Sequence, residues 1–175
     1  MTKTQKKILW VGAIGFAVRE ISLQLIELEQ RRQLYRQARQ YSDLVGKPLL
    51  VVGASKFSFN HPQGDVTIDL SPAMVAFAPN GIVADIRDIP FPSGHFGAVH
   101  CSHVLEHLDT PEDVVKALSE MHRVADRIFA VVPSKNSILA WFNPNHHLWV
   151  LPTGDGYIVE QRGAAKREVY LVSRT

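Results

Sequence analysis

The chain has 175 residues, of which 46% are hydrophobic and 21% are charged, and it contains one cysteine, Cys101. This length suits one compact domain with an arm and excludes two ordinary domains, while the average balance of apolar and charged residues excludes a disordered chain. A single cysteine excludes a disulfide framework and a cysteine-rich zinc site.

The formal net charge of +2 is unevenly distributed along the chain. Residues 1–47 carry nine Lys and Arg against four Asp and Glu, so the remaining residues are mildly acidic. A nucleic-acid-binding domain is expected to carry a basic stripe on its folded body. We therefore expect no nucleic acid partner, and we treat residues 1–47 as a basic, partly apolar arm and residues 48–175 as the compact domain.

The arm begins with an apolar segment, residues 8–18, in which each of the 11 residues is apolar or glycine. A membrane-spanning helix needs about 20 such residues, so this segment is short for that role. Three interpretations remain open: a segment packed against the core or another subunit, shallow membrane association, and a targeting peptide with a basic start.

Between residues 19 and 43 the spacing of apolar residues predicts a helix. The apolar positions recur at i, i+4 and i+7 in two groups: Ile21, Leu25 and Leu28, then Leu34, Ala38 and Tyr41. We interpret this pattern as an amphipathic helix packed on the domain. A homodimer contact or a peripheral membrane contact through residues 8–42 is the alternative.

Short apolar runs in the compact domain predict strands, and most lack polar alternation, which is typical of parallel strands covered on both faces. The predicted strands are residues 49–52, 66–70, 82–85, 98–101 and 127–132, followed by residues 157–161 and 168–172 as a hairpin. A helix is predicted over residues 111–124, with Thr110 as its N-cap. The pattern predicts an α/β fold: a Rossmann-like doubly wound, mostly parallel sheet with a C-terminal antiparallel hairpin at its edge, preceded by an N-terminal helical arm.

Three residues at the ends of predicted strands indicate a ligand site, because doubly wound sheets bind ligands beyond the carboxyl ends of their strands. Gly53 follows the first strand and lets a ligand approach the backbone closely. Asp69 ends the second strand and can accept hydrogen bonds from ribose hydroxyls, and Asp85 ends the third and can accept from an adenine amino group. The alternative is that both aspartates cap local turns.

Several motifs stand in a fixed order along the compact domain. They are residues 50–54 (LVVGA), 65–74 (DVTIDLSPAM), 84–96 (ADIRDIPFPSGHF), 103–108 (HVLEHL) and 121–124 (MHRV). In order and spacing these motifs resemble the class I S-adenosylmethionine-dependent methyltransferases, particularly the type-11-like group. The resemblance covers roughly residues 48–135.

The resemblance implies S-adenosylmethionine as the cofactor and methyl transfer as the activity. It assigns the methionine part of the cofactor, the ribose and the adenine to successive strand ends. The implied cofactor-binding residues are Gly53, Ala54, Asp69, Leu70, Asp85, Ile86 and Ser102. His103 would face the reactive end as the catalytic residue, because a neutral imidazole near pH 7 suits proton removal.

The first motif is reduced relative to this family. Only one glycine, Gly53, lies at its turn, and Pro62 and Gly64 oppose a long helix after it. Residues 79–81 (PNG) shorten the helix after strand two, and Gly97 stands where the family often has an acid. Two functions remain open: methyl transfer to a small-molecule or sugar-like acceptor, and a non-catalytic methyltransferase-like module for binding or assembly, tethered or dimerised through the arm.

Residues 103–107 also spell H-x-x-E-H, the pattern of an inverted zinc peptidase. A third protein ligand is not evident in the sequence that follows, and we predict no metal. Residues 134–149 follow the last parallel strand in a predicted loop, and the predicted acceptor wall consists of Trp141, Phe142, Pro144, His146, His147 and Trp149. The alternative is that Trp141 and Trp149 cover the sheet edge. We expect a cytoplasmic location, with membrane association through the arm as the alternative.

Overall fold

The computed structural model describes residues 2–54, 63–78, 80–154, 156–163 and 169–173. Its elements are α1 (Lys3–Val45), β1 (Leu49–Val52), β2 (Val66–Asp69), α2 (Pro72–Val75), β3 (Gly81–Val83), β4 (Phe96–Ser102), a 3₁₀ turn (Leu105–His107), α3 (Pro111–Val124), β5 (Ala125–Val131), α4 (Ile138–Phe142), β6 (Leu148–Pro152), β7 (Gly156–Gln161) and β8 (Val169–Ser173). All seven predicted strands and the predicted helix over residues 111–124 are confirmed, with small shifts at strand ends. The prediction for the loop after strand one, residues 55–62, lies outside the described residues.

The main sheet has five parallel strands in the order β3-β2-β1-β4-β5. The central strands β1 and β4 are buried along their whole length, which explains why their sequences are apolar without alternation. Successive side chains of β1 enter different clusters, because they point to opposite faces of the sheet. Leu50 and Val52 pack with α3 and the C-terminal strands, whereas Leu49 and Val51 pack with α1.

The C-terminal strands form a separate antiparallel sheet in the order β6-β7-β8. The predicted hairpin of β7 and β8 is therefore confirmed, but its expected place at the edge of the main sheet is wrong. Strand β6 was not predicted, since it lies in a segment rich in Trp, His, Asn and Pro that is typical of a loop. Its first three residues are buried, and two of them, Leu148 and Val150, pack it into the main core.

Helix α1 is one continuous helix of 43 residues. A capping box between Thr2 and Gln5 begins it, and Gly46 in the left-handed conformation ends it. Its C-terminal half packs on the main sheet through Tyr35, Ala38 and Tyr41. This part of the predicted amphipathic helix is confirmed.

The predicted stripe is wrong at two of its first three positions, Ile21 and Leu25, whereas Leu28 is half-buried. Ile21 and Leu25 are 59% and 60% exposed, and the side that faces the body is polar. Glu20 is buried and accepts a hydrogen bond from the backbone N–H of Ile138, while Glu27 lies against His103. Apolar periodicity could not find this contact because charged groups make it.

Gly97 allows α1 to lie close to the start of β4. A Cβ atom added at this position would lie 2.8 Å from Val45 Cγ2 and 2.9 Å from Ser42 Cα. The acid that the family often has at this position would therefore collide with the helix.

We expect Gly97→Ala to lower the free energy of unfolding by about 1–3 kcal/mol, because the added methyl group overpacks the contact between α1 and β4. Urea denaturation measures the change. Gly154→Ala is the matched control, since a Cβ atom there meets nothing within 4 Å. Equal stability of the two variants would show that the helix shifts without cost.

Candidate functional site

A cleft with a volume of about 380 Å³ opens at the carboxyl ends of β1, β2 and β4. This is the position that the doubly wound topology predicts for a ligand site. Among its lining residues are six of the seven predicted cofactor-binding residues and the predicted catalytic residue: Gly53, Ala54, Asp69, Leu70, Ile86, Ser102 and His103. The structure thus brings these side chains together from separate strand ends.

Gly53 shapes the floor of this cleft. Its φ angle is 89°, in the left-handed region, and an added Cβ atom would lie 2.7 Å from Val104 Cγ2. Its backbone N–H donates to the carbonyl of Ile68 and so ties the turn to the neighbouring strand. A side chain at this position would be strained and would collide with the cleft wall.

Asp69 joins two segments of the cleft wall. Its Oδ2 accepts a hydrogen bond from the backbone N–H of Ala54 at 2.9 Å, and its Oδ1 accepts from that of Ser71 at 2.8 Å. The turn-capping role and the cleft position that the sequence suggested as alternatives therefore both occur. Each carboxylate oxygen can accept more than one hydrogen bond, so the group retains capacity for ligand hydroxyls.

The Asp85 carboxylate forms an ion pair with a neighbouring arginine, which was not expected. Asp85 lies outside β3, which ends at Val83, and its carboxylate accepts hydrogen bonds from the guanidinium of Arg87, the shortest at 2.7 Å. Arg87 also reaches Asp113 at 2.9 Å. The hydrogen bonds from Arg87 lower the pKa of Asp85 from its ordinary value.

This ion pair was not expected, and the adenine contact of Asp85 stays a prediction. The Asp85 side chain does not line the cleft, whereas its neighbours Ala84 and Ile86 do. These two residues offer an apolar surface, which suits a planar ring, in the place where a carboxylate was expected. Sequence reasoning missed this ion pair because the two side chains meet only when the turn between Asp85 and Arg87 points both of them to the same side.

Ser102 and His103 end β4 at the open side of the cleft. The Ser102 hydroxyl is buried, and no residue in the described part of the chain provides it with a hydrogen-bond partner. His103 has a positive φ of 55°, uncommon for a residue with a side chain, and its backbone N–H donates to the carbonyl of Val131. Such backbone conformations cluster at functional sites.

The His103 imidazole lies between two carboxylates. Its Nε2 is 2.9 Å from Glu27 Oε1, and its Nδ1 is 3.3 Å from Glu106 Oε1. Burial lowers the pKa of His103, but hydrogen bonds and charges from Glu106 and Glu27 outweigh burial and raise this pKa to about 9. At pH 7 the ring is therefore an imidazolium, and not the neutral base that was expected.

Glu27 and Glu106 are functional candidates that sequence reasoning missed. Glu106 is fully buried in the 3₁₀ turn, and Glu27 comes from α1, far away in the chain. The available signal was the polar spacing of Glu20, Gln24, Glu27 and Arg31 within the arm. Cys101, expected to be a small buried residue, is 1% exposed, and burial raises the pKa of its thiol.

A second, larger cavity of about 760 Å³ lies next to the cleft. Five of the six predicted acceptor residues line it: Trp141, Pro144, His146, His147 and Trp149. The sixth, Phe142, is 80% exposed and is not among the lining residues. The two indole rings are 4.9 Å apart between centroids. His146 stacks edge-to-face on His107, a lining residue of the cleft, with ring centroids 4.9 Å apart. The two cavities therefore share a wall.

The H-x-x-E-H segment does not form the predicted alternative metal site. His103 lies outside the 3₁₀ turn that contains His107, so the two rings are not on one helical face. Ligand atoms of Glu106, His107 and His146 do lie within 4.8 Å of one another. The Nε2 atom of His146 also lies 2.9 Å from the side-chain nitrogen of Asn143.

Comparison with known proteins gives one family. A sequence model described as a methyltransferase domain of type 11 matches residues 57–127. This range includes Asp69, Asp85 and His103 and begins after Gly53. Among curated proteins, no sequence matches this chain significantly.

Solved structures with similar folds are distant in sequence. The N-methyltransferase NodS from Bradyrhizobium japonicum, in complex with S-adenosyl-L-homocysteine, is 17% identical over 54% of this chain and 56% of its own, with a TM-score of 0.40. The sugar N-methyltransferase KedS8 from a Streptoalloteichus species is 18% identical over 84% of this chain and 72% of its own, with a TM-score of 0.45. The [4+2]-cyclase SpnF is 16% identical over 69% of this chain and 57% of its own, with a TM-score of 0.43. This chain spans 56% of NodS and 46% of a Bacillus halodurans structure, about half of each.

Proposed function

Because residues 57–127 place this chain in the class I S-adenosylmethionine-dependent methyltransferases, type-11-like, we propose that it transfers a methyl group from S-adenosylmethionine to a small-molecule or sugar-like acceptor. The observation that carries this proposal is the cleft beyond β1, β2 and β4, where six predicted cofactor residues meet. The cofactor supplies the methyl group, and the chain binds and aligns the two reactants. Alignment alone accounts for much of the acceleration in such transfers.

The residues of the cleft fit this cofactor. Gly53 leaves the backbone open to close approach, since any side chain there would fill the floor. The Asp69 carboxylate would accept hydrogen bonds from the ribose hydroxyls, and Ala84 and Ile86 would contact the adenine ring. The buried Ser102 hydroxyl, which lacks a partner among the described residues, would bind a polar group of the methionine part.

The acceptor would bind in the larger cavity, which shares its wall with the cleft. Trp141 and Trp149 offer flat apolar faces, and Lys135 and Arg162 lie over the Trp149 ring at 5.9 and 5.0 Å. Arg162 also donates to the carbonyl of His146 at 2.7 Å, so it is held in place by the backbone. This arrangement suits a planar or sugar-like group with hydrogen-bonding edges.

His103 would contribute in its protonated state below pH 9. An imidazolium cannot take a proton from the acceptor, but it can hold Glu27 and Glu106 beside the cleft that His103 lines. Any role as a general base would require a pH near or above its pKa. We expect a cytoplasmic location, and the charge distribution predicts no nucleic acid partner.

We expect isothermal titration calorimetry of the full chain to show binding of S-adenosylmethionine and of S-adenosyl-L-homocysteine, with methionine alone as the control ligand. Both cofactor forms present the ribose and adenine for which the cleft residues are suited. If neither form binds at millimolar concentration, the enzyme proposal fails and the non-catalytic methyltransferase-like module takes its place.

A further inference from the structure

The outer side of α1 carries an apolar stripe. Val11, Ile14, Val18, Ile21 and Leu25 recur every three or four residues, which places them on one helical face. Each is between 57% and 64% exposed. Over this length, about four turns, the helix is apolar where it faces away from the body.

The side of the same helix that faces the body is polar. Glu20 accepts from the Ile138 N–H at 3.0 Å, Gln24 donates to the Ser137 hydroxyl, and Glu27 pairs with His103. A helix on a protein surface in water normally shows the opposite arrangement, with the apolar side inward. The exposed stripe therefore indicates an apolar environment outside the body.

Towards its N-terminus α1 projects beyond the body, and we call residues 9–19 the projecting segment. Residues 9–19 are all exposed, and apolar side chains point in several directions, with Trp10 at 70% and Phe16 at 47% exposure. A second copy of the helix would cover one seam of about two positions per heptad. A bilayer, in contrast, can contact apolar side chains on several sides of a helix that enters it. The length and composition of α1 are sufficient for such entry.

The charges around this segment favour an anionic lipid surface. Lys3, Lys6 and Lys7 precede it and Arg19 follows it, while the first acid in the chain is Glu20, which is buried against the body. Each Lys or Arg near such a surface contributes about 1 kcal/mol of attraction. Lysine side chains can also extend along the helix to the headgroups while apolar neighbours enter the acyl region.

The projecting segment leaves the body beside the acceptor cavity. Arg19 donates to the carbonyl of Asn136 at 2.8 Å, and α4 begins two residues later. In α4, Leu139, Trp141 and Phe142 are 59%, 52% and 80% exposed. Trp141 lines the acceptor cavity, so this apolar surface lies at the cavity itself.

We propose that the stripe of α1, the projecting segment and the exposed residues of α4 form a membrane face that docks on an anionic phospholipid bilayer. The acceptor is then an amphiphile resident in that bilayer, whose polar head enters the cavity between Trp141 and Trp149. The docking proposal depends only on the exposed apolar and basic residues, whereas the nature of the acceptor rests on the proposed function.

Vesicle flotation of the full chain tests the docking step. We expect the protein to float with vesicles of phosphatidylcholine and phosphatidylglycerol, and less with phosphatidylcholine alone. Ile14→Asp with Val18→Asp should reduce flotation at least tenfold without unfolding the body, because both side chains are exposed. Gln30→Asp with Gln37→Asp, equally exposed on α1, is the matched control and should float like the parent protein.

Two results would overturn the docking proposal. In one, the parent protein stays unbound with both kinds of vesicle. In the other, sedimentation without lipid shows a dimer that the Ile14→Asp and Val18→Asp changes abolish, with no flotation, so that a second copy covers the stripe.

Transfer of label from S-adenosylmethionine tritiated on its methyl group tests the acceptor class. We offer vesicles of total cellular lipid and, separately, the aqueous metabolite extract of the same cells. Label in the organic phase, lost in the Ile14→Asp and Val18→Asp variant, is the expected result. Two results overturn the lipid acceptor. In one, label is transferred only with the aqueous extract. In the other, neither pool is labelled although calorimetry shows S-adenosyl-L-homocysteine binding. Absence of that binding overturns the proposed function and leaves the flotation result standing.

Discussion

Replacement of Asp69 by alanine should weaken binding of S-adenosyl-L-homocysteine by about 10- to 100-fold. The variant loses the carboxylate that would receive the ribose hydroxyls, and hydrogen bonds to charged groups contribute about 1.5–3 kcal/mol each. It also releases the N–H groups of Ala54 and Ser71, which the carboxylate holds at 2.9 and 2.8 Å. Calorimetry of the variant beside the parent protein measures the loss.

Two further variants show whether the effect is local. Asp69→Asn keeps a carbonyl acceptor at the same place and should lose less affinity than Asp69→Ala. Asp43→Ala removes an exposed carboxylate of α1, 67% accessible and far along the helix from Glu27, and should leave affinity unchanged. If Asp69→Ala stays folded by circular dichroism and binds like the parent protein, the ribose assignment is wrong.

Replacement of Glu27 by glutamine should lower the pKa of His103 from about 9 by one unit or more. The change removes one of the two carboxylates that favour the imidazolium, and an opposite charge at this distance shifts a pKa by about 1–3 units. A titration of the imidazole signals by NMR, with His103→Gln to assign the resonance, measures the shift. Glu29→Gln makes the same chemical change two residues away, on a side chain that is half exposed and pairs with Arg36, and should not alter it.

The same pair links stability to pH. Because the folded-state pKa of His103 lies above its ordinary value of 6.5, the protonated ring stabilises the fold below pH 6.5, and this stabilisation disappears as the pH rises through 9. The difference in unfolding free energy between the parent protein and Glu27→Gln should therefore shrink from pH 7 to pH 10 by about 1.4 kcal/mol per unit of pKa change. A constant difference, or an unchanged pKa in Glu27→Gln, would show that Glu106 alone holds the ring.

The site shows which kinds of contact a linear pattern can predict. Gly53 and Asp69 were predicted as site residues because they lie at the ends of short apolar strands, and parallel strands end at the same edge of a sheet. Ser102 was implied by the family resemblance. The engagement of Asp85 could not be predicted, because an ion pair with Arg87 depends on the direction of a side chain in a turn. The contact of Glu27 with His103 joins residues 76 positions apart, and the polar spacing around Glu27 does not indicate which distant residue it meets.

The sequence by itself determined the five strands of the main sheet, helix α3 and the β7–β8 hairpin, the parallel character of the main sheet and the residues at its carboxyl edge. These properties follow from local apolar runs, caps and turn residues, which act within a few positions of the chain. Only the tertiary structure decided which side of α1 faces the body, where β6 pairs and how His103 is charged. These depend on burial and on charges brought together from distant positions. The basic arm that composition separated from the domain thus contacts a lining residue of the cleft, His103, through Glu27.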